Sequence, residues 1–295
     1  MTMSEGRGMQ PRFDWALEPL ADMSAAEFHD WQTLLEERSG MVLSEHRRVF
    51  LQANLSARMR ELGVRDYASY YGQVTAGARG AVEWSMLMDR LTVQETRFYR
   101  HPASFELLRQ HLQRLLRAAL GRPLALWSVG CASGEETYSL AMTTAEVLRS
   151  AEAPACFGVT GTDISLSALA RSRAAVYDAR RFEQVAPELR ARYFQALSDG
   201  RFQVLPSLAS RVCFARLNVL ELANAPLTGM DVIFCQNLLI YFRRWRRREI
   251  LNRLAERLAP GGLLVIGLGE VLGWQHPELV PVADDQVLAF TRKSL

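Results

Sequence analysis

The chain has 295 residues, 49% of them hydrophobic and 23% charged, with a net charge of +3. That much apolar material excludes a disordered chain and builds a large core, and the length suggests about two domains. The charge is too small for the basic bias of a nucleic-acid binder; Lys293 is the only lysine, so the cations are almost all arginine.

Residues 1–22 read as a flexible tail rich in Gly, Pro and charge. A helical domain is expected over 23–92. It opens with "SAAEFHDWQTLLEERSG", where Ser24 and Glu27 have capping-box spacing, Phe28, Trp31, Leu34 and Leu35 share a face, and Gly40 ends the helix. In "SEHRRVFLQANLSARMRELG" the apolar stripe is Leu51, Leu55, Met59 and Leu62, with Arg47, Arg48, Arg58 and Arg60 among the polar positions. Shorter helices follow at "DYASYYGQV" and "GAVEWSMLMDRL". A linker and connecting helix, 93–123, carry "SFELLRQHLQRLLRAALGRP", ended by Gly121 and Pro123.

From 124 to 295 short strands alternate with helices: "LALWSV", "EETYSLAMTTAEVLRS", "FGVTGTD", the helical "SLSALARSRAAVYDARRF", "VCFARLN", "DVIFCQN", the helical "RRWRRREILNRLAERL" stopped by Pro260 and Gly261, and "LLVIGLG". This order predicts an α/β domain with a mostly parallel sheet. An inserted small β-subdomain, about 177–210, interrupts it, with a hairpin at Asp199-Gly200. The opening "MTMSEGRGMQPRFDW" has no apolar signal core, and "GGLLVIGL" is too short to cross a bilayer, so a cytoplasmic protein without membrane insertion is expected. Cys131, Cys156, Cys213 and Cys235 lack metal-ligand spacing and read as buried free thiols, with no metal site.

In an open parallel sheet, ligands bind beyond the carboxyl ends of the strands, and the unusual residues collect there. The first strand runs into "VGCASGEE", where Gly130 and Gly134 bracket a tight turn into a helix. It is neither the dinucleotide fingerprint nor a P-loop, and Glu135 and Glu136 would repel a phosphate. Asp163 ends the second strand, placed for a ribose diol; Asn218 follows the third; Gln236 and Asn237 end the fourth, with amides suited to a purine edge or an amino-acid head group. Together they describe a site for an adenosine that carries an amino acid, which is S-adenosylmethionine. Each feature also has a plainer reading: a common glycine turn, an N-cap at Asp163 and a turn at Asn218.

Three stretches, "LTVQETRFYR", "WSVGCASGEETYSLAM" and "FCQNLLIYF", resemble the motifs of the chemotaxis-receptor glutamate methyltransferases, the CheR family, in the same order; the resemblance runs from about Phe28 to Phe290. It implies an all-helical N-terminal domain followed by a Rossmann-like class I methyltransferase domain. It also implies methyl transfer from S-adenosylmethionine to receptor glutamates, giving methyl esters and S-adenosylhomocysteine, with methyl-accepting chemoreceptor helices as partners. By position, Gln94, Thr96, Arg100, Gly130, Glu136, Asp163, Asn218, Val219, Gln236 and Asn237 fall on cofactor contacts and Tyr241 beside the methyl transfer, where Arg100 is further expected to orient the incoming carboxylate and Tyr241 to fix one of its oxygens. The alternative for the last pair is an Arg100–Glu136 ion pair and a core tyrosine. Gln94 and Gln236 stand where the family commonly has Asn and Arg, and "GLGE", Gly267 to Glu270, departs in its middle two residues. "LLEERSGMVLSEHRRVFLQANLSARMRELGVRDYASYY" resembles the branch serving type IV pilus chemosensory systems, called PilK. Helix-two arginines and the insert resemble receptor-binding elements. Two other functions stay open: a methyltransferase for nucleic acid or an amine, disfavoured because N-P-P-[YF] is absent from the fourth strand, and an adaptor without turnover. A monomer that does not bind nucleic acid is expected, and "RRWRRR", Arg243 to Arg248, reads as crowded surface charge.

Overall fold

The computed structural model describes residues 20–118, 122–153 and 156–294. Most of the expected tail, and Gly121, lie outside the described residues. Four helices come first: α1 (Ala25–Ser39), α2 (Arg48–Leu62), α3 (Tyr67–Thr75) and α4 (Gly77–Leu91), then the connecting α5 (Pro102–Arg117). The remainder runs β1 (Leu124–Val129), α6 (Glu135–Ser150), β2 (Phe157–Asp163), α7 (Leu166–Ala174), β3 (Val176–Tyr177), α8 (Pro187–Tyr193), β4 (Phe194–Ala196), β5 (Phe202–Val204) and α9 (Pro206–Ala209). It continues through β6 (Val212–Arg216), β7 (Met230–Cys235), α10 (Arg244–Arg257), β8 (Leu258–Ile266), β9 (Leu279–Pro281) and β10 (Leu288–Arg292).

Seven strands form one sheet in the order β6-β2-β1-β7-β8-β10-β9, parallel except for β10, which is antiparallel to both neighbours. Strand β7 is buried at all six positions, at the centre of a sheet covered on both faces; its one charged residue, Asp231, accepts from Arg122 and the Ala125 N–H, and the other five positions are apolar. A separate antiparallel sheet, β3-β5-β4, holds the hairpin whose turn contains Asp199 and Gly200. This is a Rossmann-like architecture behind a helical domain, with a small β-subdomain inserted between α7 and β6.

The helical domain is built by local signals. The Ser24 backbone N–H donates to Glu27 Oε2 at 2.8 Å and the Glu27 N–H returns to Ser24 Oγ at 3.2 Å, closing the capping box. Gly40 ends α1 in the left-handed region at φ 75°, and a Cβ there would lie 2.7 Å from the Phe242 ring. Backbone freedom and close packing thus both demand glycine. This contact, with the 2.8 Å bond from Val42 N–H to the Tyr241 carbonyl, seats the helical domain on the segment after β7.

Several expectations need correction. Leu62, the last residue of α2, is 40% exposed, so the buried stripe of that helix ends at Met59. The helix expected through Phe182 stops at Ala174: Ala175 turns left-handed at φ 55°, and Val176–Tyr177 pair with β5. α10 ends at Arg257, and Pro260 and Gly261 lie within β8, which starts at Leu258. Cys131 and Cys235 are buried, but Cys156 and Cys213 are exposed, the latter because β6 is a sheet edge. Arg58 is no free surface cation: it donates to both Glu83 oxygens at 2.8 Å and to Glu61 at 2.9 Å.

Candidate active site

Beyond the carboxyl ends of β1, β2, β6 and β7 lie two adjoining cavities, with empty volumes of about 760 and 810 Å³. Val93, Gly130, Ala132, Asn237 and Tyr241 line both, so they form one site with a waist. The eleven residues expected at the cofactor contacts and the methyl transfer all line it. Gln94, Asp163, Asn218 and Val219 line the first compartment; Thr96, Arg100, Glu136 and Gln236 line the second; Gly130, Asn237 and Tyr241 form the waist.

The glycine turn shapes the waist. Gly130 has φ 74°, and a Cβ there would come within 3.1 Å of the Leu238 side chain. Its amide and that of Cys131 both donate to the Thr162 carbonyl, at 2.8 and 3.0 Å, which ties the turn to β2. Asp163 adds a second tie: Oδ2 accepts from the Ala132 N–H and Oδ1 from the Ser165 N–H, both at 2.9 Å. Each oxygen keeps acceptor capacity for a hydroxyl pair. Burial pushes the Asp163 pKa up, opposed by these backbone N–H groups.

Of the two glutamates, only Glu136 faces the site. Successive helical residues point about 100° apart, and Glu135 is turned into the protein, accepting from Ser133 Oγ at 2.7 Å with Arg181 3.6 Å away. Glu136 accepts from Ser128 Oγ at 2.7 Å. Its pKa is pushed up to about 7 by burial; the Ser128 hydrogen bond pulls it down, the Glu270 carboxylate adds to the rise and Arg100 opposes it. No ion pair joins Arg100 to Glu136 among the described residues. Arg100 instead donates to the Glu95 carbonyl at 2.9 Å.

The amides after β7 have different employments. Gln236 is 7% exposed; its Nε2 donates to Ser104 Oγ of α5 at 2.9 Å, and its Oε1 is buried without a protein partner. Such an orphaned acceptor is costly unless a ligand donor meets it. Asn237 sits in the left-handed region at φ 59°, its Oδ1 2.8 Å from His101 Nε2. By contrast, Asn218 spends its side chain on structure, donating to the Arg38 carbonyl at 2.8 Å and accepting from the Leu220 N–H at 3.1 Å. Gln94 likewise donates to Ser165 Oγ at 2.9 Å, in a polar junction with Asp89.

Sequence reasoning left Glu270 without a task, although "GLGE" drew notice. Buried at 2% exposure, its carboxylate accepts from the Gly267 N–H at 2.9 Å and the Ile240 N–H at 3.3 Å, which pins the loop carrying Asn237 and Tyr241. Arg247 fastens the same loop, donating to the carbonyls of Phe242, Glu270 and Ile240. Part of the basic cluster is therefore internal scaffolding, and Arg243 is paired with Glu36. Also missed were Ser39, Met41 and Met88, through which the helical domain walls the first compartment. Tyr241 is half-buried; burial pushes its pKa up, against Arg47 and Arg100, so its hydroxyl remains a hydrogen-bond donor.

The arrangement fits S-adenosylmethionine chemically. It offers an acidic acceptor for a diol, an orphaned amide oxygen and a desolvated glutamate for cationic groups, and a glycine-lined waist. Residues 26–92 match the family model "CheR methyltransferase, all-alpha domain", and 94–288 match "CheR methyltransferase, SAM binding domain". The chain belongs to the CheR methyltransferase family. It is an S-adenosylmethionine-dependent methyltransferase. It is 35% identical to "Chemotaxis protein methyltransferase 1" of Pseudomonas aeruginosa over 85% of this chain and 92% of that protein. It is 34% identical to "Chemotaxis protein methyltransferase" of Escherichia coli, over 84% and 85%. The Salmonella typhimurium protein of the same name is 33% identical over 84% of each chain. Among the described residues no helix is long and apolar enough to cross a membrane.

Proposed function

We propose that this CheR family methyltransferase esterifies glutamate side chains on the cytoplasmic helices of chemoreceptors, releasing S-adenosylhomocysteine. The observation that carries this reading is the second compartment, where Arg100 and the protonated hydroxyl of Tyr241 adjoin a waist that also touches the first compartment, lined by Asp163. When bound, the cofactor supplies a methyl group already activated on a sulfonium. A carboxylate nucleophile needs no general base, since its unperturbed pKa is about 4.3. An oxygen–methyl bond forms as the sulfur–methyl bond breaks, and anion and cation are both neutralised. The protein's work is therefore orientation and exclusion of water.

The residue roles follow. Arg100 steers the incoming carboxylate, and Tyr241 donates to one of its oxygens while the other attacks. Asp163 holds the ribose, with the backbone at Asn218 and Val219 flanking the base. Gln236 Oε1 and Glu136 receive the ammonium of the methionine portion, and Asn237, set by His101, closes the waist. Thr96 and Gln94 seat the linker. The chain is read as a helical domain over 23–92, a linker over 93–123 and a methyltransferase domain over 124–295 whose insert spans about 177–210. It is further read as a cytoplasmic monomer of the type IV pilus branch.

The test is peptide mass mapping after incubation with isotopically labelled cofactor and a chemoreceptor cytoplasmic fragment. The label should fall on glutamates. Label on lysine, arginine or nucleic acid, or cofactor binding without any transfer, overturns the reading.

A further inference from the structure

Asp89 lies in the last turn of α4, in the helical domain, and its carboxylate reaches across to the methyltransferase domain. Oδ1 accepts from Ser165 Oγ at 2.6 Å and from the Ser167 N–H at 3.2 Å, so it faces the start of α7. A helix N-terminus leaves backbone N–H groups unpaired and carries a partial positive charge. The first turn of α7 has no acidic residue of its own, and the partly buried Asp89 supplies the anion from 78 residues earlier in the chain.

The buried Ser165 joins this carboxylate to the cofactor site. Its hydroxyl donates to Asp89, accepts from the Ala168 N–H at 3.1 Å as the cap of α7 and from Gln94 Nε2 at 2.9 Å, and has Ser167 Oγ 3.3 Å away. A hydroxyl has one proton and two lone pairs, so all three are engaged. Gln94 Nε2 also lies 3.3 Å from the Asp89 carbonyl, which closes the clasp. The backbone N–H of the same serine donates to Asp163 Oδ1 at 2.9 Å. Ile164, between Asp163 and Ser165, packs on the core of the helical domain, and Met88, next to Asp89, walls the first compartment.

We propose that Asp89 is a positioning residue for cofactor binding: through the Ser165 hydroxyl it fixes the turn that presents Asp163, which makes the helical domain part of the cofactor site. This rests on the reading above that Asp163 holds the ribose. A diol needs both Asp163 oxygens at fixed angles, and the Ala132 and Ser165 N–H groups set them. The Ala132 side is held by the glycine turn, whereas the Ser165 side depends on whatever holds Ser165. By linkage the coupling is reciprocal, so bound cofactor tightens α4 against α7 by the same free energy.

The experiment is a double-mutant cycle on the full chain, with Asp89→Ala, Asp163→Ala and the double variant, and with Asp89→Asn and Arg90→Ala beside them. Affinity for S-adenosylhomocysteine is read by titration calorimetry, and the fold of each variant by its melting curve. Asp89→Ala should weaken binding about tenfold, the worth of one charge-assisted hydrogen bond, and Asp163→Ala should weaken it more. On the Asp163→Ala background, Asp89→Ala should cost less than about twofold further, because its effect passes through Asp163. Asp89→Asn keeps an acceptor for Ser165 Oγ and should stay within about threefold of the parent. Arg90→Ala, at the next position of α4, loses a 2.7 Å pair with Glu61 inside the helical domain and should bind as the parent does. Equal weakening by Arg90→Ala, or losses that simply add in the cycle, overturns the positioning role. Weakening by Asp163→Ala but not by Asp89→Ala overturns that role alone, whereas an Asp163→Ala variant that binds as the parent does overturns the ribose reading beneath it. Should Asp89→Ala fail to fold, amide exchange in the parent decides. S-adenosylhomocysteine should slow exchange at residues 87–91 together with 165–168, and slowing confined to 165–168 overturns the role.

Discussion

Replacing Glu136 by Gln separates stability from binding at a single atom. The amide oxygen still accepts from Ser128 Oγ, so the packing and the 2.7 Å hydrogen bond survive while the charge is lost. In the free protein, burial pushes this carboxyl up to about 7 from an ordinary 4.5. A raised acid pKa means the folded state binds the proton more tightly than the unfolded state, so stability falls as pH climbs from the ordinary value through the raised one. The difference is worth about 3 kcal/mol once pH is above both values. Glu136→Gln should therefore raise the melting temperature of the cofactor-free protein at pH 8 and change it little at pH 4.5. Cofactor affinity should move the other way. Loss of a charge-assisted contact, about 1.5–3 kcal/mol, predicts roughly 10- to 100-fold weaker binding at pH 8. The parent's affinity should increase about tenfold between pH 6 and 8 as the carboxylate ionises, and the variant's should not. Scanning calorimetry and titration calorimetry at both pH values read these effects. A variant that melts lower at pH 8 and binds with the parent's pH profile would refute the reasoning.

Other perturbations test the scaffold. Gln236→Leu removes the buried acceptor, so cofactor binding should weaken by roughly 1–3 kcal/mol in titration calorimetry, with the fold retained. Glu270→Ala orphans the Gly267 and Ile240 amides and should cost about 2–6 kcal/mol in denaturant unfolding; cofactor affinity should fall with it, because the Asn237 loop loses its anchor. Gly40→Ala forces a Cβ at φ 75° against the Phe242 ring, a cost of about 2–4 kcal/mol, and should loosen the Tyr241 segment although it lies in the helical domain. Arg100→Ala should lower kcat/KM for the receptor fragment strongly, and unchanged transfer with unchanged cofactor binding would remove it from the site.

Elements with strong local punctuation were readable. The capping box and Gly40 bound α1, and the strand-to-glycine-turn-to-helix pattern placed β1, α6 and β2. Because a parallel sheet gathers its carboxyl ends, residues far apart in the chain could be assigned to one site before their contacts were known. What escaped depended on tertiary partners. Val176–Tyr177 fit a helical period and became strand only because β5 pairs with them. Pro260 resembled a helix stop, but the chain was already extended at Leu258. Adjacent glutamates are equivalent in sequence, and helical geometry lets only Glu136 face the cavity. Nothing local marks His101 and Ser104 as partners of Asn237 and Gln236, 136 and 132 residues away. The capacity of the Asn218 and Gln94 amides for backbone and serine bonds was likewise invisible until those groups were near.

The central claim, a carboxylate as methyl acceptor, is tested most directly by the chemistry of the product. After reaction of the protein with tritiated S-adenosylmethionine and a chemoreceptor cytoplasmic fragment, the labelled fragment is treated with mild alkali. A glutamate methyl ester predicts that the protein-bound label is released as volatile methanol. Label that resists alkali and stays with the fragment would contradict the account.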